Sequence, residues 1–129
     1  MNRAAYALLV VRAFWHLHRY DLFNRTFGFQ RIYRQVTRQK VLTRPPLPGL
    51  ETAICDAVSL AGCFYWKPVL CLQRSVAATL LLRKHGIHGR LVIGYRPAPF
   101  FSHAWVEVDG RVVNDLPAYK ERLQVLCTA

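Results

Sequence analysis

Acidic residues are scarce in this chain. Seven Asp and Glu stand against 18 Lys and Arg over 129 residues, a formal net charge of +11. The deficit is concentrated at the front: residues 1–44 hold nine basic residues and one acid, Asp21, a balance of +8, whereas the rest balance at +3. A basic front half favours an acidic partner, whether nucleic acid, an anionic membrane or an acidic peptide, and the plain alternative is a solvated basic helix face. Zinc signatures are also missing. Cys55, Cys63, Cys71 and Cys127 form no C-x-x-C pair, and no His-x-x-x-His follows, so no metal site is expected. The apolar run AAYALLVV ends at Arg12. It is too short to span a bilayer and lacks a small-residue cleavage site, so the chain is expected in the cytoplasm, off the membrane, with reduced thiols. Repeats and low-complexity tracts are absent. With 53% hydrophobic residues, global disorder is excluded. The length suits a single domain, 1–129, that builds its core without disulfides or metal.

Helical periodicity dominates the first half. Residues 4–20 are apolar nearly all round, interrupted by Arg12, His16 and Arg19, which predicts a helix buried on most of its surface. Gly28 punctuates. Residues 29–40 place Phe29, Ile32, Tyr33 and Val36 on one helical face and Arg31, Arg34, Arg38 and Lys40 opposite. TRPPLPGL, residues 43–50, cannot be helical, because three prolines remove donors and fix φ. It reads as an extended linker between a basic helical part, 1–44, and a second part, 45–129. A helix from Leu50 to about Tyr65 breaks at Pro68. The next starts near Lys67 to Leu70 and ends at Gly86 or Gly89, with Arg83, Lys84 and His85 in its last turn, where cations suit the dipole. Four β-like runs follow: 90–95, 102–108, 111–115 and 123–127. Helices first and a small antiparallel sheet after make an α+β fold.

Three residues in the second part carry chemistry when combined. Cys71 lies in the first turn of its helix, where unpaired N–H groups and the positive dipole end favour a thiolate and can hold an oxyanion. His103, on a strand, is the candidate base. Asp115 would accept the second ring N–H and fix the tautomer. Each has a plain alternative: a buried inert cysteine, a structural histidine, an aspartate ending a strand. Cys55, Cys63 and Cys127 are taken as core residues. Asn114 is a second candidate orienter, and Arg74, one turn after Cys71, is a candidate for an acidic substrate or a structural salt bridge.

The hairpin offers a stricter test. A two-residue turn at Asp109-Gly110 pairs Val108 with Arg111 and puts Asp115 opposite Ala104, on the wrong face. A three-residue loop, Val108-Asp109-Gly110, pairs Glu107 with Arg111, Trp105 with Val113 and His103 with Asp115. The second register gives a charge pair, an apolar pair and a catalytic pair on one face, and is the one expected.

The span from Leu70 to Asp115 carries C-L-x-R-S opening a helix, G-I-x-x-x-L-V-I-G leading a strand, then P-F-x-x-H-A-W-V-E-x-D-G-x-V-V-N-D. It resembles the transglutaminase-like superfamily, and within it the bacterial lasso-peptide biosynthesis proteins that remove the leader peptide. The resemblance is strong over roughly the last 60 residues and general in the front half. It implies a papain-like core with Cys71 as nucleophile, His103 as base and then acid, and Asp115 as orienter, with no cofactor. It also implies a precursor peptide as substrate, a separate leader-recognition protein, and an ATP-dependent, asparagine-synthetase-like macrolactam cyclase acting afterwards. Nucleic acid is not an expected partner. Papain-like enzymes use a Gln before the Cys as oxyanion donor; here Tyr65 and Trp66 occupy that region, with the Trp66 N–H as a candidate. The alternatives are another transglutaminase-like acyl transferase, or a basic nucleic-acid-binding or non-catalytic interaction module.

Overall fold

The computed structural model describes residues 1–43 and 45–129. Helix α1 (Arg3–Phe27) is capped by Asn2, whose side chain accepts the Ala5 N–H at 2.7 Å. It runs past the expected end near residue 20 to Gly28, whose φ of 78° lets the chain turn directly into α2 (Phe29–Arg38). Helix α3 (Leu50–Phe64) follows the proline segment, of which Arg44 lies outside the described residues. Then come α4 (Cys71–Lys84), β1 (Arg90–Pro97), β2 (Phe100–Val108), β3 (Arg111–Val112), α5 (Ala118–Arg122) and β4 (Gln124–Thr128). The sheet order is β3-β2-β1-β4, with every pairing antiparallel. The fold is therefore α+β, as the order of periodicities implies.

Helix α4 is the hub. Gln73 and every residue from Ser75 to Arg83 are buried. On one side Ala77, Ala78 and Leu81 meet Leu9, Ala13 and Leu17 of α1 and Ile54, Val58 and Ala61 of α3. On another, Val76 and Leu80 meet Ile32 and Val36 of α2 and Leu91 and Ala104 of the sheet. The fully buried alanines let helices approach closely, and each buried leucine or valine contributes about 1.5–3 kcal/mol. Arg83 ties α2 to α4: Nε donates to the Gly89 carbonyl at 2.9 Å, and Nη1 donates to the carbonyls of Val36 and Gln39. The Tyr33 hydroxyl donates to the Thr128 carbonyl at 2.6 Å, fixing α2 to the outer strand β4.

Two expectations need correction. Helix α1 buries one stripe only, Leu9, Ala13, His16, Leu17 and Asp21, while Val11 and Trp15 are 64% and 57% exposed. Its partners α3 and α4 both lie along that stripe. Cys63 is exposed rather than a core residue; Cys55 is buried and Cys127 half-buried, and all four thiols are free. Among the described residues no helix is long and apolar enough to cross a membrane.

The hairpin also departs from the expected register. Val108 pairs with Arg111 and Glu107 with Val112. Asp109 and Gly110 both take the left-handed conformation, φ 52° and 77°, the signature of a two-residue turn matched to strand twist. Val112 consequently joins Trp105 and Val92 on one face, and Val113 joins Val106 and Val108 on the other. The expected Glu107–Arg111 pair is absent. Glu107 instead accepts from the Trp105 indole N–H at 2.8 Å, and Arg111 reaches Glu51 at 3.3 Å.

Candidate active site

The register that would carry Asp115 away from His103 lasts only two residues of β3. The Val113 N–H donates to the Val106 carbonyl, but the Val106 N–H donates to Asn114 Oδ1 at 2.8 Å instead of to a backbone carbonyl. The chain thus leaves the ladder at Asn114. Its Nδ2 donates to Ser75 Oγ at 3.0 Å, and Ser75 Oγ donates to the Ala104 carbonyl at 3.1 Å. Asn114 is thereby fixed to both α4 and β2, and it does not bond His103. Asp115, freed from strand alternation, turns back so that Oδ2 lies 2.7 Å from His103 Nε2. Its Oδ1 accepts the Leu116 N–H at 2.8 Å.

Arg74 Nη2 reaches the same Asp115 Oδ2 at 2.9 Å. Of the two roles open to Arg74 in the sequence, the salt bridge is the one formed. Helix α4 therefore contributes Cys71 at its first position and, one turn on, the cation that holds Asp115. Side chains of His103 and Asp115 are only 13% and 14% exposed. The imidazole is stacked on Tyr119 of α5, and Phe101, two residues earlier on β2, stacks parallel to both rings.

Cys71 is half-buried and packs against the cluster holding Ile93 and Ala104, cross-strand partners beside Gly94 and His103. Among the described residues no side chain caps the N-terminus of α4, and the first helical bond there is from the Arg74 N–H to the Leu70 carbonyl. The N–H groups of the first turn are consequently free to face an anion. Gly94, opposite His103, leaves the room that the Trp105 ring fills: a Cβ there would stand 2.6 Å from the ring edge.

The candidates for a side-chain oxyanion donor are already engaged or exposed. Tyr65 donates its hydroxyl to Asp21, and burial together with that carboxylate pushes its pKa up to about 12. Asp21 also pairs with Lys67 at 2.7 Å, and Gln73 Nε2 donates to the Leu17 carbonyl at 2.9 Å. Trp66 is 63% exposed between the cations of Arg25 and Lys67. Among the described residues no group of three or more His, Cys, Asp and Glu is placed to hold a metal ion.

Sequence reasoning missed Tyr119 and Ser75. The short helix after Pro117 is marked by a proline start, yet five residues carry too little periodicity to assign a facing partner. Ser75 is named by the C-L-x-R-S motif, but its partner Asn114 lies 39 residues away.

The family described as the transglutaminase-like superfamily matches residues 14–128, reaching well into α1 and beyond the stretch whose motifs are legible by eye. The microcin J25-processing protein McjB of Escherichia coli is 46% identical over 56 residues, which is 43% of this chain and 27% of that protein. The aligned stretch thus spans little more than a quarter of that relative's length. No solved structure matches the chain. With nearly its whole length matched, this chain belongs to the transglutaminase-like superfamily.

Proposed function

We propose that this protein is a cysteine peptidase that removes the leader segment of a ribosomally made precursor during lasso-peptide maturation, with Cys71 as nucleophile, His103 as base and Asp115 as orienter. The observation that carries the reading is the 2.7 Å contact between His103 Nε2 and Asp115 Oδ2, in a chain whose α4 begins at Cys71. Similarity to a protein named for processing microcin J25 supports this choice of substrate class.

In this reading Asp115 accepts the Nε2–H, leaving Nδ1 of His103 as the base. Nδ1 takes the Cys71 proton as sulfur attacks the scissile carbonyl. The oxyanion faces the uncapped first turn of α4. Nδ1 then protonates the leaving amine, which departs as the new N-terminus of the core peptide. A water, deprotonated by the same nitrogen, hydrolyses the thioester and releases the leader as a carboxylate. Residues 45–129 hold the reacting groups and 1–44 buttress α4. A separate leader-recognition protein delivers the precursor, an asparagine-synthetase-like cyclase takes the freed amine, and the work is done in the cytoplasm, where the free thiols stay reduced.

The test is mass spectrometry of the precursor after incubation with purified protein and recognition partner. Wild type should yield two peptides whose masses sum to precursor plus water, and Cys71→Ala should yield none while keeping its fold. Undiminished cleavage by Cys71→Ala would overturn the mechanism. Loss of ammonia without cleavage would mark amide cross-linking instead.

A further inference from the structure

A cluster of basic side chains lies at the other end of α4. About 20 Å of helix, at roughly 1.5 Å per residue, separates Cys71 from Lys84. There a cavity of about 430 Å³ opens between α1, α4 and the segment after α2. Arg12, Lys40, Lys84 and His85 line it, with His16 and Trp15, and among the described residues no acidic one does. Among the described residues none of the three permanent cations has an ion-pair partner.

His16 makes the cavity more than a basic surface. It is only 4% exposed, yet among the described residues its Nδ1 has no hydrogen-bond partner. Buried polar atoms in folded proteins are nearly always paired. Burial, then Lys84, Arg19 and His85, bring its pKa down to about 4, so the ring is neutral and can carry a proton on Nδ1 for donation. His85 bonds the Leu81 carbonyl through its own Nδ1 at 2.9 Å, leaving Nε2. The carbonyls ending α4 attract cations and account for Lys84 in the last turn. They do not account for Arg12 of α1 and Lys40 beyond α2 converging on the same cavity, nor for the unpaired His16.

We propose that this cavity binds an oxyanion, a phosphate or carboxylate group, with Arg12, Lys40 and Lys84 supplying charge, Nδ1 of His16 donating a hydrogen bond, and Trp15 forming an apolar wall. The site stands independently of the peptidase reading. Two sources share this chemistry: a soluble phosphate compound, and an acidic side chain of a bound peptide.

Calorimetric titration of the full chain with inorganic pyrophosphate, and separately with triglutamate, tests it. One-site saturable binding to at least one probe is expected. Arg12→Gln with Lys84→Gln should raise that Kd at least tenfold. Arg31→Gln with Arg34→Gln, which removes equal charge from exposed positions of α2, should leave it within twofold. The His16 ring resonances should shift on binding. Binding of pyrophosphate alone assigns the phosphate source, and tighter binding of triglutamate assigns the peptide source. No saturable binding to either probe, or equal weakening by both double variants, would overturn the proposal. All four substituted side chains are exposed, so folding is not at stake.

Discussion

His103 lies flat against Tyr119, with ring centroids 3.9 Å apart and planes 23° apart. Asp115 fixes the edge of the imidazole and Tyr119 its face, so the ring has little freedom to rotate. Aromatic stacking of this kind is worth about 0.5–1.5 kcal/mol, but its larger effect is on aim, since misplacing a reacting group by an ångström can cost roughly 100-fold in rate. In the proposed peptidase reaction, Tyr119→Ala is expected to lower kcat by about 10- to 100-fold with little change in KM. Tyr119→Phe, which keeps the ring, should retain most of the activity. Steady-state kinetics on the precursor decide it; equal losses in both variants would show that the hydroxyl, not the stack, matters.

Arg74 acts one step further back. It shares Asp115 Oδ2 with His103 and bonds neither the ring nor Cys71, which makes it a positioning residue in the proposed reaction. Charge-assisted bonds of this sort contribute about 1.5–3 kcal/mol when formed, less at a side chain that is 31% exposed. Arg74→Gln should lower kcat by roughly tenfold and leave KM near its wild-type value. Arg74→Lys should recover part of the loss. A rise in KM with kcat unchanged would instead assign Arg74 to substrate binding.

The sequence pairs His103 with Asp115 through a hairpin register that the fold does not adopt, yet the two side chains meet. Pairing rules applied to Glu107, Arg111, Trp105 and Val113 favour a three-residue loop. The backbone instead follows Asp109-Gly110, whose left-handed pair suits the two-residue turn, and Glu107 finds Trp105 and Lys120 rather than Arg111. What restores Asp115 is a side chain replacing a main-chain acceptor at Val106, and no periodicity encodes that substitution. The extent of α4 is legible to within a few residues: the helix starts at Cys71, just past the expected Lys67 to Leu70, and ends at the cationic turn of Arg83 and Lys84, before Gly86. The burial of α1 is not, because an apolar helix surface does not say how many partners will cover it.

Gly94 separates packing from intrinsic helix or strand preference. Its Cβ would meet Trp105 at 2.6 Å and Leu123 at 3.0 Å, both buried side chains that cannot swing away. Gly94→Ala is expected to destabilise by about 1–3 kcal/mol, the usual range for overpacking. Because Gly94 pairs with His103, activity should fall as well. Gly62→Ala is the control. There the nearest atom, on Val69, is 3.7 Å away and the residue is inside α3, so the change should be neutral or stabilising by up to about 1 kcal/mol. Urea unfolding of both variants checks the contrast.

Acid should lower the stability of the protein over two pH ranges. The pKa of His16 is about 4 in the fold against an ordinary 6.5, so the unfolded chain takes up the proton first. Its contribution is complete above about pH 6.5 and is lost as pH falls toward 4, by about 3 kcal/mol at most. Asp21 behaves in the opposite chemical class but with the same sign. Burial raises its pKa, Lys67 and Tyr65 more than offset this, and the carboxyl is held below its usual range. Its contribution is therefore lost only as pH falls below the ordinary carboxylate value near 3.8. His16→Gln should flatten the stability profile between pH 6.5 and 4 and leave the lower loss in place. An unchanged slope in that window would remove His16 as the cause.

Two buried hydroxyls one turn apart on α4 should respond in opposite directions to the same kind of change. Ser75 Oγ is fully buried, donates to the Ala104 carbonyl and accepts from Asn114. Thr79 is equally buried, but among the described residues its Oγ1 has no partner. Removing a satisfied hydroxyl strands its partners and costs about 1–3 kcal/mol, whereas removing an unsatisfied one relieves a desolvation cost of similar size. Ser75→Ala should therefore lower stability and, by releasing Asn114, loosen Asp115 and reduce activity. Thr79→Val keeps the side-chain shape and should raise stability by about 1 kcal/mol or more without touching activity. Thermal unfolding of the two variants, with Thr79→Ser as a check that the methyl group alone is stabilising, measures the signs directly. A destabilised Thr79→Val would mean that the hydroxyl has a partner in solution.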